Sequence, residues 1–179
     1  RVTLRGAGMG VKVNDSDPYI EPTIIKGNFK IVADGNTEDN FKMEGILCTD
    51  EVDLQGIMNS QFSKCKFKNL KYTTGKGGFE NVTFINCVFS RENRIEFCYN
   101  ATMNFYGCYL NSPSFGPNSL YTLTNCIVEK DGNSGGNLQS CILKNSIIVN
   151  NSESTSVWDP RCSGYNTLWA GGGIAQYSD

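Results

Sequence analysis

The sequence predicts an all-β chain wound into one solenoid of stacked coils. Three observations carry this: an apolar motif recurring about every 20 residues, a composition rich in Asn and Gly, and period-two alternation of β-branched and aromatic residues. In the motif a large apolar residue is followed three positions later by Cys or Ser, and two positions after that by a second apolar residue. Its five copies start at Phe62, Phe84, Phe105, Leu123 and Leu143, spaced 22, 21, 18 and 20 residues apart. The small residue is Cys65, Cys87, Cys108, Cys126 and finally Ser146. The spacing drifts because insertions enter loops while stacked strands keep register.

Strand alternation then dictates the columns. Phe84, Cys87 and Phe89 all point inward only if the chain turns a corner at Asn86. The same rule stacks the four Cys and Ser146 in one inward column, with Phe67, Phe89, Leu110, Val128 and Ile148 in the next. Two residues ahead of the motif, Val82, Met103, Tyr121 and Cys141 form an earlier inward column. The corner falls at Lys64, Asn86, Gly107, Asn125 and Asn145, predicting a partial ladder of Asn amides. The 20 Asn and 19 Gly of the chain suit such corners, because both tolerate left-handed backbone.

The first third is less regular. Arg1 to Gly10 reads as a strand running into a Gly turn, and Ile24, Ile25, Phe29, Ile31, Val32, Phe41 and Ile46 supply further strands around a polar insertion at 33–40. From residue 150 on the motif is lost. The expected organisation is coils over 1–150, about seven to eight in number, and an irregular C-terminal cap or tail over 151–179 packed on them.

Bulk properties narrow the function. At 179 residues the chain suits one domain. A net charge of -2 and a pI near 5.2 argue against a dedicated nucleic-acid binder. No apolar run approaches the ~18 residues of a membrane span. The absence of His removes Ser-His-Asp triads, Cys-His pairs and every His-ligated metal site. The chain opens at Arg1, without an initiator Met or signal peptide, so the expectation is a mature or excised segment of a longer secreted, cell-surface or virion-surface protein.

The repeated Phe-x-Asn-Cys-x-Phe-like coils, with the opening Leu4-Arg5-Gly6-Ala7-Gly8, resemble the right-handed parallel β-helix proteins of the pectin-lyase-like superfamily. The resemblance covers residues 1–150 and implies a right-handed parallel β-helix. It leaves activity open, since that superfamily includes lyases, hydrolases, esterases, adhesins and phage tailspikes. Its Asp-rich and Gly-His-Gly type enzyme motifs are missing here. Val157-Trp158-Asp159-Pro160-Arg161 is similar to the Val-Trp-x-Asp-His stretch of pectate lyases but lacks the spacer and the His.

Candidate sites follow from residue type. Lys64, Lys66, Lys68, Lys71 and Lys76 crowd one coil, and alternation sends Lys66 and Lys68 outward. They would face an anionic glycan, or form an ordinary solvated strand face, which the pattern favours. Tyr106 and Tyr109 are candidate aromatic platforms for the same ligand. Asp50, Glu51 and Asp53, within an acidic stretch, would hold Ca²⁺ if a loop gathered them, and otherwise form a solvated loop. No other cofactor is indicated. Eight Cys invite disulfides, but the four column Cys are expected to be stacked thiols, and no Cys-x-x-Cys spacing exists. Glycosylation sequons at Asn14, Asn81, Asn100 and Asn150 matter only in a eukaryotic secretory protein.

Three functions compete on this reading. One is a non-catalytic surface protein: an adhesin, a glycan-binding element or a tailspike-like fibre segment. The second is a polysaccharide lyase or glycoside hydrolase, and the third a structural spacer. Position x after the small residue holds Lys66, Val88, Tyr109, Ile127 and Ile147, an outward apolar stripe. It is expected to be covered by the tail or by a second chain, as in a homotrimer.

Overall fold

The computed structural model describes residues 2–10, 21–33, 40–73, 79–90, 95–96, 101–115, 119–130, 141–151 and 162–171. Two parallel sheets wrap one core. The first sheet has eight strands in chain order: Val2–Arg5, Phe41–Glu44, Gln61–Ser63, Phe79–Ile85, Ala101–Tyr106, Leu120–Thr124, Cys141–Lys144 and Ser163–Tyr165. The second runs through Thr23–Ile25, Ile46–Gln55, Lys66–Thr73, Val88–Phe89, Tyr109–Asn111, Ile127–Lys130, Ile147–Asn150 and Leu168–Gly171, with Phe29–Val32 paired beside Ile46–Gln55. A small parallel pair joins Ile95–Glu96 to Pro113–Ser114. This is the predicted parallel β-solenoid, with about five turns rather than seven or eight. The motif-bearing turns are the regular ones, and both sheets gain further, less regular strands at each end.

The corner between the sheets is built as the alternation requires. Gly45, Lys64, Asn86, Gly107, Asn125, Asn145 and Asn166 all have φ between 46° and 67°. That left-handed turn lets the residues on either side both point inward. From Gly45 to Asn145 each corner N–H bonds the next coil, for instance Asn86 N–H to the Tyr106 carbonyl at 2.8 Å and Asn125 N–H to that of Lys144 at 2.9 Å. A side-chain Asn contact joins Asn166 Nδ2 to Asn145 Oδ1 at 3.3 Å, one coil beyond the ladder of Asn86, Asn125 and Asn145 that the sequence predicts. At Gly107 a Cβ would lie 2.4 Å from Asn86 Oδ1, so the Asn86 amide fills the space that a side chain there would need.

Inside, the predicted columns hold. Met43, Phe62, Phe84, Phe105, Leu123 and Leu143 stack in register and are fully buried. The Phe62–Phe84 and Phe84–Phe105 rings stack at 5.0 and 5.1 Å, while Phe84 meets Phe89 of the second sheet edge-on at 5.3 Å and 72°. Parallel within a column and perpendicular between columns, both arrangements suit the ring quadrupole.

The small-residue column is a hydrogen-bonded one. Cys87 Sγ donates to the Ile85 carbonyl of its own coil and the Phe62 carbonyl of the coil before, both at 3.5 Å. Cys65, Cys108 and Cys126 repeat the arrangement, and Ser146 Oγ reaches Lys144 O at 2.9 Å and Leu123 O at 3.4 Å. All four Cys are free and buried, as the sequence predicts.

The C-terminal stretch differs from expectation. Residues 163–171 form a further rung, in register with Ile142–Lys144 and Ile147–Asn150. Asn166 takes the corner and Thr167 Oγ1 takes the small-residue position, donating to Tyr165 O at 3.1 Å and Leu143 O at 3.4 Å. The repeat therefore outlasts its Cys and Phe signature. Residues 152–161, which include Trp158, Asp159 and Arg161, and 172–179 lie outside the described residues.

Lys64 stands where the other corner residues of this column are Gly or Asn. Lys64→Asn is expected to raise stability by up to about 1 kcal/mol and Asn86→Ala to lower it by about 1 kcal/mol, because left-handed backbone costs a Cβ-bearing residue roughly that much unless its side chain is Asn-like. Urea midpoints at unchanged m-value would show both. A loss of stability in Lys64→Asn would contradict the corner argument.

Candidate functional site

The two charged candidates turn out to be neighbours. Asp50, Glu51 and Asp53 lie on Ile46–Gln55, and Lys66, Lys68 and Lys71 on the adjoining Lys66–Thr73. Register sets Glu51 against Asn69 and Asp53 against Lys71, while Lys30 meets Asp53 from the other side at 3.8 Å. Gln55 Nε2 donates to Asp53 at 2.7 Å, and Asn69 Nδ2 to Glu51 at 3.5 Å. Asp50 accepts from the Gly27 N–H at 2.8 Å and the Thr49 hydroxyl at 3.0 Å. The Gly27 N–H, then the Thr49 hydroxyl, hold its carboxyl below the ordinary carboxylate range, with Lys68 and Lys26 adding to the effect.

Opposite charges alternate across the strands in one column, Lys30–Asp53–Lys71, while Glu51 faces the neutral Asn69. Each of the three carboxylates has its own partners, and no three His, Cys, Asp or Glu side chains converge among the described residues. Lys64 is set apart from the other lysines, since it is the exposed corner residue. Lys76 lies outside the described residues.

The two tyrosines separate as well. Tyr106 closes a first-sheet strand and is 42% exposed, whereas Tyr109, just past the Gly107 corner, stands outward on the second sheet. Tyr109 is not a free platform. Its hydroxyl donates to Glu129, which also accepts from Asn151 Nδ2 at 3.0 Å, and Asn111 Nδ2 donates to the Tyr109 oxygen at 3.3 Å. This cluster escaped sequence reasoning because Glu129 comes 20 residues after Tyr109 and meets it only through the stacking.

The outward apolar stripe is longer than expected. Ile24, Leu47, Lys66, Val88, Tyr109, Ile127, Ile147 and Leu168 align in one column. Val88 and Tyr109 are half-buried, while Ile127, Ile147 and Leu168 are 44%, 40% and 61% exposed. The described part of the tail does not lie over this stripe but lengthens it by Leu168.

On the first sheet the outward columns are Lys42–Gln61–Thr83–Asn104–Thr122–Ile142–Ser163 and Arg5–Glu44–Ser63–Ile85–Tyr106–Thr124–Lys144–Tyr165. From Gln61 to Thr124 these two columns carry hydroxyls, amides, Ile85 and the Tyr106 ring, with no charge. Tyr165, 47% exposed, adds a second ring near the C-terminal end. A cleft of about 220 Å³ opens near the N-terminal end, lined by Val2, Ile31, Val32, Ala33, Asn40, Phe41, Ile57 and Ser60. It contains no acid, base or cation among those residues, so it supplies no proton-transfer chemistry.

Asn14 and Asn100 lie outside the described residues; of the other two sequons Asn81 is exposed and open to a glycan, whereas Asn150 is buried. No helix among the described residues is long and apolar enough to cross a membrane. No known protein family matches the chain, and neither a curated protein nor a solved structure is significantly similar to it.

Two measurements follow from the charge ladder. The Gly27 amide should titrate with a midpoint below 3.8, the ordinary value for Asp50. The sign is that of a depressed carboxyl: the contact persists above the unfolded pKa and is lost as pH falls through the folded one. NMR of Asp50→Asn should lose that titration. Removing Ca²⁺ with a chelator should leave the thermal midpoint unchanged, and a fall of several degrees would restore the carboxylates as a metal site.

Proposed function

We propose that this β-solenoid is a non-catalytic surface protein, an adhesin-like or fibre-like element that binds an extended polysaccharide along the outward face of its first sheet. The observation carrying this reading is that face itself: Gln61, Thr83, Asn104 and Thr122 in one column and the exposed Tyr106 ring in the next. Strands stack ~4.8 Å apart, so hydroxyls and amides recur at about the length of one sugar ring. Sugars present hydroxyls to such groups and an apolar face to an aromatic ring. The Lys-rich strand suits an anionic glycan less well, because its Lys71 stands opposite the Asp53 carboxylate of the neighbouring strand. Kinship with the pectin-lyase-like superfamily, right-handed winding and a secreted, cell-surface or virion-surface location belong to this proposal. Lyase or hydrolase chemistry and a bare spacer are its rivals.

A glycan array with isothermal titration of the best ligand tests it. Tyr106→Ala and Asn104→Ala should each weaken binding about tenfold without changing the thermal midpoint, a loss typical of one good contact. Absence of binding to any glycan would leave the spacer, and release of unsaturated uronate from a polyanionic glycan would establish the lyase.

The exposed aliphatic column favours a second role for the other face, packing against a second copy of the chain. Three neighbouring residues, Ile127, Ile147 and Leu168, project there in register. Ile147→Asp should reduce the mass seen by light scattering, whereas Lys66→Asp in the same column should be mild. A wild-type protein that is monomeric at every concentration tested would exclude this face as an assembly surface.

A further inference from the structure

Seven of the eight cysteines lie within the described residues, and two of them behave unlike the rest. Cys65, Cys87, Cys108 and Cys126 are at most 2% exposed and direct their Sγ atoms at backbone carbonyls of their own and the preceding coil. The corner residue immediately before each one sets that direction. Burial closes the four column thiols to an external oxidant, and Cys48, 0% exposed, is closed in the same way.

Cys141 belongs to a different column, following Val82, Met103 and Tyr121 on the first sheet. Ile142 pairs with Ser163, which brings Cys162 beside Cys141 one rung on. Their sulfurs are 2.6 Å apart, and the Cys141 N–H also points at Cys162 Sγ, at 3.4 Å. Adjacent parallel rungs place Cα atoms ~4.8 Å apart, within the range that a disulfide spans. Cys162 is half-exposed and open to an oxidant, while its partner is buried.

We propose that Cys141 and Cys162 form a disulfide under oxidising conditions, fastening the rung Ser163–Gly171 to the solenoid, while the column thiols stay reduced. The Cys162 thiolate attacks an external disulfide such as oxidised glutathione, forming a mixed disulfide and releasing one glutathione thiol. The Cys141 thiolate then attacks the Cys162 sulfur of that mixed disulfide and releases the second. Two protein thiols lose two protons and two electrons, and one external disulfide becomes two thiols. The bond closes a loop of about 20 residues and ties down the rung that ends both sheets among the described residues. It does not depend on what either face binds.

The test equilibrates the full chain in glutathione buffers from reducing to oxidising, alkylates it after unfolding, and maps the peptides by mass spectrometry. The expected result is a linked peptide pair containing Cys141 and Cys162, with Cys65, Cys87, Cys108 and Cys126 all alkylated. Proteolysis within 163–171 should slow by roughly tenfold on oxidation of the wild type, because opening of the terminal rung is then restricted. C162S should show no dependence on oxidation. Comparing one wild-type protein in two redox states keeps the readout independent of any folding defect in the variant. The proposal fails if both cysteines stay alkylatable at an oxidising poise, if Cys162 is found bonded to Cys98, or if the column thiols oxidise first.

Discussion

Everything in this molecule depends on the left-handed corner. A strand that simply continued would place Phe84 and Cys87 on opposite faces, since three positions is an odd number of steps in a period of two. One residue at φ of about 50° resets the alternation, so both become core residues on different sheets. Seven successive corner residues repeat that single conformation. The cost falls on the corner residue, which is why Gly and Asn occupy it at six of the seven positions. The corner also aims the following side chain back at the carbonyl two residues earlier, which explains why Cys, Ser and Thr are interchangeable there. Each is small and each can donate.

Packing follows from stacking like on like. Coils related by a parallel register put chemically similar side chains one rung apart, so each core column is a stack rather than a jigsaw of unlike pieces. Phe62, Phe84 and Phe105 offset-stack along the axis, and Phe67 and Phe89 meet them edge-on from the second sheet. Where Phe gives way to Leu and Val, the column narrows but stays in register. The sharpest narrowing is at Gly164, opposite Leu143. The rung there survives because its backbone ladder and the Asn166 corner persist when the large side chain does not.

That contrast shows what was legible in the sequence. The fold, the columns, the corner and the free column thiols were readable because the motif carries all of them in six residues. The last rung was not, because Tyr165-Asn166-Thr167-Leu168 keeps the corner and the donor while losing both Cys and Phe, the letters by which the motif was recognised. That the two charged candidates are neighbours was not legible for another reason. The acidic run and the lysine run are separate in sequence, and only the register of Ile46–Gln55 with Lys66–Thr73 makes them partners. The same stacking hid the hydrogen bond from Tyr109 to Glu129. A repeat announces which residues share a column, but the neighbours across coils follow only once each coil's length is known.

A solenoid offers function a particular kind of surface. Its interior is filled by side chains, the cleft near its N-terminal end has no titratable group, and the outward columns are the surface that the described coils present to solvent. Those columns are laid out as lines parallel to the axis, and a ligand that repeats along its length can meet several rungs at once. Between Gln61 and Thr124 the first sheet presents uncharged lines of hydroxyls and amides that include the exposed Tyr106 ring. The second presents a charge ladder at one end and a bare aliphatic line at the other. On the function proposed above the two faces take different partners: a hydroxyl-rich chain on the first, and an apolar surface on the second, where desolvating Ile127, Ile147 and Leu168 costs nothing in lost hydrogen bonds. An extended ligand on the first sheet and a protein on the second could therefore be held at once, because each face meets solvent on its own side of a shared core.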